Sequence, residues 1–408
     1  MPGSKPVPEK TGFALGVLAT VFFIFGFATA FKDPLVPHLK GIFDLSQWQA
    51  DLIQFAFFSA YFLVSIPSTL VVSKMGHQKS IVVGIAVMSV GSFALIPAAS
   101  WLSFETFLIG LWIIAAGITL IQVAANPFAT LLGAPEKAPA RLTMVQAFNS
   151  LGTTVAPYLG GLFILAKATE GPQTYASRLA LAGTVKVPYL ILGVLLVGLA
   201  LVIWRLKMPQ PARDTATGGT WGAIWKHPHL VLGIVAIFLY VGAEVTIGGH
   251  IINYVNAITP ISEKGAATFA SIYWGGAMVG RFFGAAILGR FSGGKVLGVC
   301  GTMALLMVAT TMTTGGMVAV WSAVLVGLFN SIMFPTIFAL AVAELGPLTG
   351  KASGLLNMAI CGGAVIPLAQ GKLIDSVNFH FSFIVPAVCY LFIVFYGFRG
   401  HRVRVPAA

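Results

Sequence analysis

Residues 115–161 read AAGITLIQVAANPFATLLGAPEKAPARLTMVQAFNSLGTTVAPYLGG. This stretch decides the fold. It consists of two apolar runs joined by a short charged turn, and each run carries carboxamides that hydrocarbon does not tolerate unpaired. Gln122 and Asn126 stand four apart, and Gln146 and Asn149 three apart, so each pair shares one face of its helix. An amide moved into an apolar medium without a partner costs roughly 2–7 kcal/mol. Such groups therefore turn to a protein interior or a watered cavity. Four of them on two adjacent helices mark a candidate site for a polar solute inside a membrane.

The whole composition agrees. Of 408 residues, 57% are hydrophobic and only 9% charged, against about 25% charged in soluble chains. The 46 glycines and 22 prolines suit close helix packing and helix breaks in spans. An all-α membrane protein follows, with twelve runs of sufficient length: 11–33, 48–73, 80–99, 104–132, 141–166, 187–205, 229–255, 265–290, 294–313, 317–343, 351–372 and 380–398. The first run is too long for the apolar core of a signal peptide and reads as a retained span. With an even number of spans, sixteen Lys and Arg fall on one side and seven on the other, Arg281 remaining in a span. The positive-inside rule then predicts both termini in the cytoplasm. The net charge of +12 is read as topology, with no support for nucleic acid binding. The three cysteines all lie in apolar runs and give neither a disulfide framework nor metal-ligand spacing; no metal site is expected.

Along the chain, Lys32 and Asp33 stand beside Pro34 and Pro37, which are expected to break the first helix. An ionisable pair at such a break is a candidate functional site, although Lys32 has the length to snorkel outward. SKMGHQKS, residues 73–80, reads as a cytoplasmic hinge with His77 solvated. Asp51 and Trp48 open the second span. Pro127 and Pro157 are expected to open their helices and free carbonyls. Residues 207–228 form the longest polar connection, so the chain divides into 1–206, a linker 207–228 and 229–408. Trp221 and Trp225 suggest an amphipathic piece at the membrane surface. Glu244 lies about 22 Å into the seventh span, too deep for a carboxyl without a partner or a role. Arg281 reads as an ion pair that holds a gate or the fold. Gln122, Pro127 and Asn149 recur as Asn330, Pro335 and Asn357, each 208 positions later. Two six-helix bundles related as parallel repeats follow, with a site expected at the interface of the halves near the midplane.

At DPLVPHLK, QWQADLIQFAFFSAYF, GITLIQVAANPFATLLG, RLTMVQAFNSLGTTVAP, GAEVTIG and GLFNSIMFPTIFALA with the GLLNMAICGGAVIP that follows, the sequence resembles the sugar/cation symporters of the major facilitator superfamily. The resemblance runs over nearly all twelve spans, in the branch that contains the L-fucose/proton symporter and bacterial glucose/galactose transporters. It implies the major facilitator fold, alternating access and a place in the cell inner membrane. The family's helix-one acid falls on Asp33. The helix-four Glu of the fucose branch is Gln122 here, the pattern associated with the glucose/galactose branch. The family's helix-five Gln and Asn fall on Gln146 and Asn149, and Lys32 stands where an Asn is usual.

A sugar needs amides and carboxylates for its hydroxyls and an aromatic for its ring face. Gln122, Asn126, Gln146 and Asn149 supply a first half-site, Asn330 and Asn357 a second, and Trp274 the stacking surface. Asp33 is the expected coupling carboxylate, with Glu244 assisting it or binding ion or sugar. The coupling ion is H+ or Na+, with no other cofactor, and a monomer in the bilayer is expected. Motifs of hydrolases and nucleotide enzymes are missing and charged residues are few, against an enzyme; paired halves with internal carboxyls argue against a channel. A transporter-like sensor is disfavoured because long soluble domains are missing, and a drug exporter because its pocket would be roomier and more aromatic. Glucose or galactose is the first substrate choice, and N-acetylglucosamine or L-fucose the alternative.

Overall fold

In this computed structural model the described residues are 11–45, 47–164, 174–209 and 220–403, and every regular element among them is helical. The chain runs α1 (Thr11–Phe31), α2 (Leu35–Phe43), α3 (Gln47–Met75), α4 (His77–Trp101), α5 (Phe104–Leu131), α6 (Ala138–Ile164), α7 (Tyr175–Gly183) and α8 (Lys186–Arg205). It continues with α9 (Trp221–Ile224), α10 (Pro228–Ile258), α11 (Glu263–Leu288), α12 (Gly293–Thr313), α13 (Gly316–Asn330) and α14 (Met333–Ala341). It closes with α15 (Thr349–Met358), α16 (Gly362–Ser376), α17 (Phe379–Ser382) and α18 (Ile384–Phe395). Ten helical stretches among the described residues are long and apolar enough to cross a membrane. The polar α6 and α11, of 27 and 26 residues, are long enough but less apolar, and bring the spans to twelve. Part of the expected linker, 210–219, lies outside the described residues, as do the side chains of Trp48 and Asp51.

Several helix breaks depart from expectation. α1 does stop before Pro34, but Pro37 is absorbed in the first turn of α2, where a backbone N–H has no partner to lose. Pro127 and Pro157 sit inside continuous helices. Each removes one rung of the ladder and leaves the rungs on either side. Near Pro127 the carbonyl of Ala124 accepts from Nδ1 of His77 at 2.9 Å. His77 is therefore no solvated loop residue: it is buried in the first turn of α4. Its neighbour Gln78 donates to the carbonyls of Ile203 and Leu206 at 2.7 and 2.6 Å, closing the end of α8. Within the apolar stretches, α7 parts from α8 in the first half, and in the second half breaks fall between α13 and α14 and at the 3-10 turn Ala359–Cys361.

The described chain packs as two units, 11–125 with 148–209, and 126–147 with 220–403. In the first, α4 and α5 meet along a glycine seam. A Cβ on Gly84 would stand 2.9 Å from the carbonyl oxygen of Gly117, and one on Gly91 would stand 2.8 Å from that of Gly110. Both pairs are seven residues apart and run in opposite directions, as antiparallel helices require. Hydrocarbon gives helices no hydrophobic reason to associate, so close backbone approach supplies the dispersion contact instead. At the start of this unit, Nε2–H of buried His38 donates to the carbonyl of Leu181 at 3.0 Å, joining α2 to α7. In the second unit the same small-residue logic joins α12 to the end of the chain, where a Cβ on Gly397 would stand 2.5 Å from the backbone N of Gly298.

Gly117→Ala is expected to cost about 1–3 kcal/mol through overpacking, whereas Gly198→Ala, with nothing within 4 Å, gains up to about 1 kcal/mol of helix propensity. Thermal unfolding of the two purified variants checks the opposite signs. Burial holds the pKa of His38 below its ordinary 6.5. Its contribution to stability is then complete above about pH 6.5 and declines as pH falls through that value, because the unfolded chain binds the proton first. Stability measured between pH 7.5 and 5 should fall more in the parent than in His38→Gln.

Candidate functional site

The amides of the opening stretch are placed by α5 and α6. Asn126 and Gln146 are buried and face each other, Nε2 of Gln146 donating to Oδ1 of Asn126 at 3.3 Å. Nδ2 of Asn126 has no hydrogen-bond partner among the described residues. Gln122, one turn earlier on α5, is also buried and donates to the hydroxyl of Tyr61 on α3 at 3.1 Å. Asn149 is half-buried and donates to the carbonyl of Phe22 on α1 at 3.1 Å. That contact is close enough that Gly26 is required beside it, for a Cβ there would meet Nδ2 of Asn149 at 2.5 Å.

Lys32 and Asp33 lie in the turn between α1 and α2 and form an ion pair of 2.6 Å. Their exposures invert the sequence reading. The Lys32 side chain is 6% exposed and the Asp33 side chain 53%. Lys32 does not snorkel; its ammonium lies over the ring of Phe57 on α3, 5.0 Å from the centroid. A cation over an aromatic face, paired with a carboxylate, keeps a charge inside at tolerable cost.

The second unit builds a denser polar cluster around the break between α13 and α14. The carbonyl of Asn330 accepts from the hydroxyl of Tyr240 at 3.0 Å, and that of Ser331 accepts from Nε of Arg281 at 3.0 Å. The Asn330 side chain is itself used twice. Nδ2 donates to the Tyr273 hydroxyl at 2.9 Å, and Oδ1 accepts from the Tyr390 hydroxyl at 2.8 Å. The Tyr273 hydroxyl in turn donates to the carbonyl of Glu244 at 3.0 Å. The Glu244 carboxylate stands 4.0 Å from the guanidinium of Arg281, and both side chains are nearly enclosed. Arg281 is thus an internal brace, bonding a broken helix and facing an acid. Asn357 donates back to the carbonyl of Ser353 on its own helix at 3.1 Å, and its Oδ1 has no hydrogen-bond partner among the described residues.

Trp274 is 44% exposed and meets Tyr273 edge-on, ring centroids 5.2 Å apart. It rests on α10 at Gly248, where a Cβ would meet its ring at 2.6 Å. Tyr240 and Tyr390, and the pairing of Tyr61 with Gln122 and of Tyr273 with Asn330, are not signalled by any spacing in the sequence. The signal available was a phenol in an apolar run, since a buried hydroxyl must find an acceptor. Among the described residues no group of His, Cys, Asp and Glu is arranged to hold a metal ion.

A family model described as Major Facilitator Superfamily matches residues 18–367. The chain is 44% identical to a glucose/galactose transporter of Brucella abortus, over 98% of this chain and 99% of that one. It is 40% identical to a putative glucose/galactose transporter of Helicobacter pylori, over 95% and 97%. An L-fucose-proton symporter of Escherichia coli is 32% identical over 94% and 92%. In structure it is similar to a Major Facilitator Superfamily transporter, FucP, in the outward conformation. There the TM-score is 0.89 at 28% identity, over 95% of this chain and 99% of that one.

Replacing Asn330 by Leu leaves the Tyr390 hydroxyl without its acceptor and removes the donor to the Tyr273 hydroxyl, which keeps its bond to Glu244; a buried group left unpaired costs about 1–3 kcal/mol. Asn330→Leu is expected to lower the thermal midpoint of the purified protein by well over 5 °C, and Asn330→Asp far less. Equal midpoints for Asn330→Leu and the parent would remove the cluster from the stability of the second unit.

Proposed function

The chain belongs to the Major Facilitator Superfamily, and on that premise we propose that it carries a neutral hexose of the glucose/galactose type across the membrane, coupled to a cation. The observation that carries this reading is the 44% identity to a glucose/galactose transporter along essentially the whole of both chains. Transport by alternating access, import in symport with H+, two six-helix halves joined through 207–228, a monomer in the inner membrane and cytoplasmic termini complete the proposal. No chemical step on the sugar is involved.

The unpartnered atoms support it. Nδ2 of Asn126 is a buried donor and Oδ1 of Asn357 a buried acceptor, neither with a hydrogen-bond partner among the described residues. Most buried polar groups are satisfied, and a hydroxyl-rich solute is a natural partner for those that are not. Gln146 orients Asn126. Gln122 and Asn149 complete the amide set, each held by a bond that leaves further donor or acceptor capacity. Asn330 acts through the tyrosines it fixes, and Trp274 offers an open indole for the ring face. Asp33 is the coupling acid: half-open to its surroundings and paired to a lysine, it can exchange one cation for another as access changes. Glu244 answers Arg281 in the second unit and is positioned to shift with the broken helix.

L-fucose is the second reading, favoured by the 0.89 TM-score with FucP. Sodium in place of the proton is the alternative coupling ion.

Proteoliposomes loaded with unlabelled D-glucose should show counterflow of labelled glucose and galactose, and weaker counterflow of L-fucose. Asn126→Ala is expected to raise the half-saturating sugar concentration about tenfold, the equivalent of one hydrogen bond of about 1.4 kcal/mol. Asp33→Asn should keep counterflow and lose accumulation against a gradient. Full accumulation by Asp33→Asn overturns the coupling assignment, and counterflow of neither hexose overturns the substrate. Uptake with and without sodium at fixed pH distinguishes the ions.

A further inference from the structure

On the outer face of the first unit, two cavities run end to end between α4 and α8. One, of about 360 Å3, is apolar, walled by Val90, Phe93, Val197 and Leu201 among others. The other, of about 290 Å3, is of mixed character and includes Lys79, Lys207 and Gln78. Val82 and Trp204 line both, so the two make one groove with a greasy length and a cationic end. From Lys79 to Phe93 it extends about 21 Å along α4 at 1.5 Å per residue. That covers the roughly 15 Å of hydrocarbon in one leaflet, half of a ~30 Å core, with room for a headgroup.

We propose that this groove binds an anionic glycerophospholipid, its phosphate between Lys79 and Lys207 and an acyl chain along Val90, Phe93, Val197 and Leu201. Charge complementarity selects the occupant. Both lysines are exposed, and among the described residues neither has a carboxylate within ion-pair distance. Their placement is built rather than accidental. The buried amide of Gln78 bonds the carbonyls of Ile203 and Leu206, which fixes the end of α8 against the first turn of α4. Lys79 lies in that first turn and Lys207 one residue beyond Leu206, so the same two bonds bring both ammoniums to one end of the groove. The N-terminus of α4 adds its own partial positive charge. Trp204, 62% exposed at the junction of the two cavities, is the amphipathic ring that favours headgroup depth. Higher up, the hydroxyl of Ser89 donates to the carbonyl of Gly193 at 2.9 Å, so the one polar side chain of the apolar part turns its proton into the helix contact. The basic end is the one assigned to the cytoplasm by the distribution of Lys and Arg, where bilayers carry their negative surface potential. The assignment is independent of the transported solute.

Native mass spectrometry of the full-length protein, with phosphatidylglycerol or phosphatidylcholine of identical acyl chains added in neutral detergent, tests the site. The parent should retain phosphatidylglycerol at least tenfold more than phosphatidylcholine, and soluble glycerol phosphate not at all. Lys79→Gln and Lys207→Gln should each weaken the preference about fivefold, as about 1 kcal/mol per basic residue implies, and together abolish it. Val90→Trp, which fills the groove and leaves the charges, should weaken both lipids. Arg290→Gln with Lys295→Gln removes equal charge elsewhere and should change nothing. Equal retention of the two lipids by the parent overturns the proposal, as does an equal loss in the Arg290/Lys295 control. Retention of glycerol phosphate at the strength of the lipid would make the groove irrelevant and overturns it too. All five substituted positions are exposed, so a native thermal midpoint is expected of each variant.

Discussion

A carbonyl released from a helix inside hydrocarbon has only the protein to turn to. At the break between α13 and α14 the chain releases such carbonyls, and the surrounding polar groups are arranged to receive them. Tyr240 takes the carbonyl of Asn330 and Arg281 that of Ser331. Arg281 brings a charge with it, and Glu244 answers that charge. Tyr273 and Tyr390 then fix the Asn330 side chain, and Tyr273 ties back to the backbone of Glu244. One irregular turn thus calls for an arginine, an acid and three phenols, contributed by α10, α11 and α18. The same arrangement sets the indole of Trp274 beside Tyr273.

The two halves keep a common skeleton beneath their differences. Gln122 and Asn330 occupy equivalent places in the sequence repeat, and each bonds a tyrosine from the second long helix of its half, Tyr61 and Tyr273. The following repeat pair diverges. Asn149 reaches the backbone of α1, whereas Asn357 turns to its own helix. The first half keeps α5 continuous through Pro127, while the second interrupts α13 ahead of Pro335. The amide-to-tyrosine bond is common to both halves, and the geometry around it is not.

Hydropathy made the spans legible, because a stretch of some twenty apolar residues has few other uses, and their ends lie within a few residues of the helices. The amides were legible for the same reason in reverse: each is an expensive residue in a cheap environment. What the sequence concealed depended on partners from other helices. His77 looks like a loop residue until its ring is seen to meet the carbonyl of Ala124 on α5. Lys32 looks free to snorkel until Phe57 and Asp33 supply its counterweight. Pro127 and Pro157 look like breaks because their local effect is certain, but whether a helix parts there is decided by the neighbours packed on it. The tyrosines were visible as residues and invisible as a network, since no spacing rule links positions 61 and 122, or 273, 330 and 390.

The glycine seam between α4 and α5 has a consequence for how these helices tolerate change in length. Gly84 and Gly91 face Gly117 and Gly110 in register, and one helical residue subtends about 100°. A single insertion or deletion between the members of either pair would swing one contact out of phase and present a side chain where bare backbone is needed. The internal count of residues in these two rods is thereby locked. Drift in this pair of helices is therefore expected to occur by exchange of side chains and by slack in the loops at either end.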